Sequence, residues 1–186
     1  MFHVEQFEKI MNTERLKKSV RNVPDFPIPG IQFKDVTTLF KDSEILKELS
    51  DGLCEMYKNK GITKVVGIES RGFILGPLLA ARLQAGFVPI RKPGKLPAAT
   101  YESSYEKEYG VDSIQIHQDA LNENDVVLLH DDLLATGGTM TAAVDLVEKF
   151  NPKKIYVSFL IELTDLNARK LFRPDIEIES IIQYGI

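Results

Sequence analysis

From Thr63 onward the chain alternates short apolar runs with longer stretches of helical spacing, and that alternation constrains the fold before any motif is considered. Lys64-Val65-Val66-Gly67-Ile68, Phe87-Val88-Pro89-Ile90, Asp125-Val126-Val127-Leu128-Leu129-His130, Lys154 to Leu163 and Ile181-Ile182-Gln183-Tyr184 read as strands. Leu75, Leu78, Leu79 and Leu83 mark a helix between the first two. Met140, Ala143, Val144, Val147 and Phe150 mark another behind the third. Strands alternating with helices predict an α/β fold, a mainly parallel central sheet with helices on both faces. Such sheets bind ligands beyond the carboxyl ends of their strands. The loops after Ile68, Ile90 and His130 are therefore the places to look for chemistry.

Upstream of Thr63 the pattern is less regular. Val4, Phe7, Ile10 and Met11 fall at helical spacing, as do Leu46, Leu49, Leu53 and Met56. Between them, Val23-Pro24-Asp25-Phe26-Pro27-Ile28-Pro29-Gly30 carries three prolines and a glycine, which predicts a stiff, extended segment. Arg91 to Asp112 holds three lysines and three tyrosines and reads as neither helix nor strand. A loop of that length inside a compact domain is usually a functional lid or disordered.

The length of 186 residues suits one domain. The expected division is a single domain over 1–186, with an N-terminal hood segment at 1–36 and a flexible lid loop at 92–112. A net charge of −4 provides no global basic field for nucleic acid, so any basic site is local and its ligand small. One cysteine, Cys54, excludes an internal disulfide. No apolar run reaches the roughly 18 residues of a membrane span. These features predict a cytoplasmic protein with neither a nucleic-acid nor a membrane partner.

After His130 come two carboxylates, then Thr136-Gly137-Gly138-Thr139, then a helix. The glycines let backbone N–H groups approach a ligand closely, and the two threonines add hydroxyl donors. The helix start contributes unsatisfied N–H groups and its positive dipole end. Together these form a cradle for one phosphate. Asp131 and Asp132 would repel that phosphate, but they can accept hydrogen bonds from sugar hydroxyls. The ligand so described has a phosphate at one end and a diol at the other. His130 precedes the acid pair, and strand alternation points it away from Asp131, as a structural histidine.

Glu69-Ser70-Arg71-Gly72 ends the first strand of the series and offers a guanidinium suited to a forked grip on phosphate. Arg91-Lys92-Pro93-Gly94-Lys95 places three cations at the end of the next strand, where a second phosphate site is expected.

Across nearly its whole length the sequence resembles the adenine phosphoribosyltransferases, a family of the type I phosphoribosyltransferase fold. The string Asp131-Asp132-Leu133-Leu134-Ala135-Thr136-Gly137-Gly138-Thr139 matches the 5-phosphoribosyl 1-diphosphate signature of type I enzymes. Pro24-Asp25-Phe26-Pro27, Phe33-Lys34-Asp35, Ser70-Arg71-Gly72-Phe73, Arg91-Lys92-Pro93-Gly94-Lys95-Leu96-Pro97, Glu108-Tyr109-Gly110 and Asp119-Ala120-Leu121 carry the narrower resemblance. It implies transfer of a phosphoribosyl group to adenine, giving AMP and diphosphate, in purine salvage. It also implies a homodimer.

The resemblance implies roles residue by residue. Asp131 and Asp132 hold the ribose hydroxyls, and Ala135, Thr136, Gly137, Gly138 and Thr139 wrap the 5-phosphate. Ser70, Arg71, Arg91 and Lys92 hold the diphosphate, Arg71 also serving in catalysis. Phe33 stacks on adenine and Leu133 packs on its other face, while the backbone near Gln32 and Lys34 reads the base edge. Glu108 contacts N7 of the base, either donating a proton or accepting one, and Tyr109 helps close the lid. No residue cluster has the spacing of a metal cage, so Mg²⁺ is expected to be held mainly by substrate oxygens and water.

Overall fold

The computed structural model describes residues 11–107 and 110–185. The expected opening helix, apart from Met11, lies outside the described residues, and so do Glu108 and Tyr109. The chain divides into two compact units, 1–56 and 57–186.

In the first unit, helix α1 (Thr13–Ser19) starts where the Asn12 side chain accepts the Arg15 N–H, an ordinary N-cap. Strands β1 (Arg21–Pro24) and β2 (Gln32–Asp35) pair antiparallel, with Val23 opposite Phe33. The proline-rich stretch expected to be irregular thus contributes Val23 and Pro24 to a ladder. Its remainder is the connection, closed by Asp25 N to Ile31 O at 2.8 Å and Gly30 N to the Asp25 carboxylate at 2.7 Å. Helices α2 (Thr37–Phe40) and α3 (Ser43–Tyr57) follow, burying Leu39, Leu49 and Leu53.

The second unit is a five-stranded parallel sheet in the order β4-β3-β7-β8-β9. Its strands are β3 (Lys64–Ile68), β4 (Gly86–Ile90), β7 (Val126–Leu134), β8 (Lys154–Leu163) and β9 (Glu177–Tyr184). Helix α4 (Gly72–Arg82) joins β3 to β4, and α5 (Gly138–Glu148) joins β7 to β8. Side chains alternate across a pleated strand, so each strand feeds two layers. Val66, Ile68, Val127, Leu129, Val157 and Phe159 form one layer with Met140, Ala143 and Val147 of α5. On the other side α4 lies close enough to the sheet that Gly67 and Gly76 both face the Phe87 ring, which Phe73 meets edge-on at 5.9 Å.

Two expectations are corrected here. The first concerns the stretch from Arg91, expected to be irregular up to Asp112. Strands β5 (Thr100–Lys107) and β6 (Gly110–His117) form an antiparallel hairpin with Tyr105 opposite Asp112. Ile114 and Ile116 drop into the core, and Tyr101 packs edge-on against Phe150 at 5.5 Å. The root of the hairpin is fastened to the end of β4 by two bonds between Arg91 and Gln115, of 2.9 and 2.7 Å. The second correction concerns β7, which does not stop at His130. It continues in register through Asp131 opposite Phe159 and Leu133 opposite Ile161, so both acids belong to the strand.

Among the described residues no helix is long and apolar enough to cross a membrane.

Candidate active site

The carboxyl ends of β3, β4 and β7 converge, as the parallel sheet requires. β3 ends in Glu69-Ser70-Arg71, with a cis peptide between Glu69 and Ser70, and α4 begins at once with Gly72. A Cβ on Gly72 would stand 2.7 Å from the His130 carbonyl oxygen and 3.3 Å from the Asp131 carboxylate. Only glycine lets the start of α4 touch the end of β7. That contact brings Arg71 to Asp132, with Nε 2.5 Å from Oδ2.

The two acids differ. Asp132 is nearly closed to water and is neutralised by Arg71. Burial pushes the Asp131 carboxyl well above the usual carboxylate range, and the adjacent Asp132 charge pushes the same way. The Asp132 N–H, which donates to Asp131 Oδ1 at 2.9 Å, opposes this, as does the Arg71 charge. The pair therefore places two carboxyl groups side by side at the strand end, Asp132 gripped by Arg71 and Asp131 held by the Asp132 N–H. Both suit hydroxyl groups.

His130, just before them, is buried, and its Nδ1 lies 2.8 Å from the Ser158 hydroxyl. Burial lowers its pKa to about 4, so it is neutral at physiological pH and plays a structural part.

Beyond Leu134 the chain passes Ala135 and Thr136 and turns at Gly137, whose φ is +90°. A Cβ at Gly137 would also lie 3.1 Å from Ala168 Cβ and from Leu171 Cδ1, a tight fit on top of the left-handed backbone. No side chain caps α5, which leaves N–H groups of its first turn open toward the loop. Thr136 is exposed, and Gly138 and Thr139 are half-buried. This geometry could cradle an anion, with Ala168 and Leu171 walling one side.

That wall has its own anchor. The Arg169 guanidinium donates to Glu162 on β8 through Nε at 2.8 Å and Nη2 at 2.7 Å, and to the Ile178 carbonyl at 2.8 Å. The Ser180 hydroxyl on β9 donates to the same carboxylate. Burial alone would raise the Glu162 pKa, but Arg169 and Ser180 outweigh it and keep the carboxyl below its ordinary value.

At the end of β4 the cations are already engaged. Arg91 is forked onto Glu69 at 3.1 and 3.2 Å and also donates to the Lys95 carbonyl. The Lys92 N–H donates to Glu69 as well, and the Arg91 hydrogen bond leads in holding the Glu69 carboxyl below its usual range. The Lys92 ammonium reaches the hairpin, donating to the Asp112 carboxylate and sitting 3.4 Å from the Tyr105 hydroxyl.

The structure thus gathers Ser70, Arg71, Asp131, Asp132 and the 135–139 loop at adjoining strand ends, with Arg91 and Lys92 on the neighbouring strand. Leu133 lies half-buried on β7 in the same unit. Gln32, Phe33 and Lys34 lie on β2 of the first unit. There Phe33 meets Phe26 edge-on at 5.1 Å, Lys34 donates to the Asn22 side chain at 2.9 Å, and Gln32 accepts from Asn22 at 2.6 Å. Glu69, Tyr105, Asp112, Ala168 and Leu171 were not singled out from sequence as site residues. Glu69 could have been: it is the acid that opens the arginine loop, with a cluster of cations at the neighbouring strand end.

Comparison with known proteins identifies the family. The profile of the phosphoribosyl transferase domain matches residues 36–183. The adenine phosphoribosyltransferase of Bacteroides fragilis is 71% identical over 93% of this chain and 98% of its own length. The crystal structure of the Rhodothermus marinus adenine phosphoribosyltransferase superposes with a TM-score of 0.86 at 50% identity, covering 92% of this chain and 98% of that one. The Saccharomyces cerevisiae enzyme, complexed with an imino-altritol bisphosphate and adenine, superposes with a TM-score of 0.85 at 36% identity, covering 91% and 98%. The chain belongs to the phosphoribosyl transferase family, in its adenine phosphoribosyltransferase branch.

Proposed function

We propose that the strand-end site carries out the reaction of that branch: adenine displaces diphosphate at C1 of 5-phosphoribosyl 1-diphosphate, giving AMP. The observation that carries this reading is the run from the Asp131-Asp132 pair through left-handed Gly137 to the uncapped start of α5. It matches a ligand with a diol beside a phosphate. The yeast relative's complex, with a sugar bisphosphate analogue and adenine, supports the same substrate class.

In this reading Ala135 to Thr139 hold the 5-phosphate through backbone N–H groups and hydroxyls. Asp131 and Asp132 bind the ribose hydroxyls and favour the positive charge that develops on the sugar as the C1–O bond breaks. Ser70, Arg71 and Lys92 stabilise the departing diphosphate. Arg91 acts mainly through Glu69, fixing the shape of that loop. Phe33 and Leu133 give adenine apolar contacts, and the β2 backbone at Gln32 and Lys34 reads its edge. Glu108 manages the proton at the base, with Tyr109 beside it.

The donor set fits Mg²⁺ arriving with the substrate. Among the described residues no three His, Cys, Asp or Glu side chains come together, and Asp132 is committed to Arg71. Mg²⁺ brought by the substrate would supply neutralising charge at the diphosphate, beside Arg71 and Lys92. The protein is further assigned to the cytoplasm and to a homodimer, on the family's habit.

The test is an assay of 5-phosphoribosyl 1-diphosphate with adenine, hypoxanthine, guanine and xanthine in turn, with Mg²⁺. AMP formed from adenine, with the other bases inert, is expected. Turnover of an oxopurine without turnover of adenine overturns the substrate assignment.

A further inference from the structure

Three cations at the strand ends are each matched by a carboxylate: Arg71 by Asp132, Arg91 by Glu69 and Lys92 by Asp112. The first two partners belong to the strand ends themselves. Only Asp112 comes from the hairpin, twenty residues along the chain from Lys92.

The hairpin presents that carboxylate deliberately. Asp112 is the register partner of Tyr105, and the Tyr105 hydroxyl donates to Asp112 Oδ2 at 3.2 Å, the oxygen that also receives the Lys92 ammonium. The Lys92 ammonium also lies 5.7 Å from the centre of the Tyr105 ring. The backbone next to Lys92 is fixed by the Arg91–Gln115 bridge and by Glu69, so the side chain alone is left to move. Tyr105 reaches the other phosphate loop too, since a Cβ on Gly138 would lie 3.5 Å from its ring. Both side chains of the Lys92–Asp112 pair keep some exposure, 37% and 24%, so an incoming anion has access.

We infer that Asp112 is an internal stand-in for the diphosphate: it holds the Lys92 ammonium when the anion is absent, yields it when the anion binds and reclaims it when the anion departs. This rests on the reading of Lys92 as a diphosphate ligand. An ammonium is a compact charge on a flexible stem and can change partners by rotation, which the forked Arg91–Glu69 pair cannot do without breaking several bonds at once. Two anions cannot share Lys92 at full strength, so diphosphate binding works against the contact that ties it to the hairpin.

The experiment measures the affinity of inorganic diphosphate, with Mg²⁺, by titration calorimetry for wild type, Asp112→Asn, Lys92→Met and the double variant. Asparagine keeps an oxygen for the Tyr105 hydroxyl and removes the competing charge, at the loss of the local Ser113 N–H bond to Oδ1. Asp112→Asn is expected to bind diphosphate about fivefold more tightly, the scale of a partly exposed ion pair. In the Lys92→Met background the same substitution should lose that advantage. A gain in affinity cannot come from a damaged fold. If Asp112→Asn binds diphosphate no better than wild type while Lys92→Met weakens it, the stand-in role is wrong and the diphosphate site survives. If Lys92→Met leaves the affinity unchanged, the assignment of Lys92 fails and takes this inference with it.

Discussion

The Arg71 guanidinium is half open to solvent while the Asp132 carboxylate it grips is 5% exposed. An arginine carries five N–H donors in a planar fork, more than one carboxylate oxygen can engage. In the proposed reaction one residue would both brace Asp132 and meet the leaving diphosphate.

Asp132→Asn keeps the shape of that pair and removes its charge. The loss of a charged hydrogen bond costs roughly 1.5–3 kcal/mol. The second-order rate for 5-phosphoribosyl 1-diphosphate should fall by about a hundredfold at the upper end of that range. Steady-state kinetics with unaltered constants would remove Asp132 from the ribose site.

Glu108→Leu isolates the proton step. General acid or base catalysis typically contributes about 10²–10⁴-fold, so kcat should fall by that order while the melting temperature stays within a degree or two of wild type. Wild-type turnover would end the proton role proposed for this residue.

Gly137→Ala tests the phosphate cradle. The left-handed φ costs an alanine about 1–2 kcal/mol, and its methyl group would also press on Ala168 and Leu171. Stability should drop by about 2 kcal/mol in denaturant titration, and KM for 5-phosphoribosyl 1-diphosphate should rise. A variant with native stability and native KM would show that neither the turn nor its wall matters.

His130 predicts a pH dependence of stability. Its pKa falls from 6.5 to about 4 on folding, so the unfolded chain binds its proton first. The stabilisation is fully present above the unfolded value and is lost as pH falls through the folded one, about 3 kcal/mol in all. Asp131 has the opposite sign: its raised pKa costs stability as pH rises above the ordinary carboxylate value. The slope of unfolding free energy against pH between 4 and 6.5 should therefore be less positive in His130→Leu than in wild type. Parallel slopes would show that burial does not govern this histidine.

The parallel sheet was legible because its strands are buried on both faces and read as continuous apolar runs; Lys154–Leu163 was delimited without error. The end of β7 was not, since two acids look like a loop. They stay in the ladder because β8 runs on beside them, with Phe159 and Ile161 opposite Asp131 and Leu133, and because Arg71 lies against Asp132. The hairpin was hidden by its inward residues. Tyr101, Ser103 and Tyr105 alternate with Glu102, Ser104 and Glu106, but tyrosine and serine give a weak apolar signal. The Arg71 and Asp131-Asp132 loops could be picked out locally. The pairings of Lys92 with Asp112 and of Arg91 with Glu69 could not, because they depend on register across strands distant in sequence.

The missing side chain at Gly72 has a consequence for redesign. With the start of α4 seated on the His130 carbonyl, the loop carrying Arg71 and the strand carrying the two acids have no slack between them. Under the proposed reaction the spacing from leaving group to sugar diol would be built before substrate arrives, sparing the entropy of aligning the two halves. A bulkier sugar would then not be accommodated by prying this seam apart. Room for altered substrates has to come from the hairpin side, where the contacts are side chains that rotate.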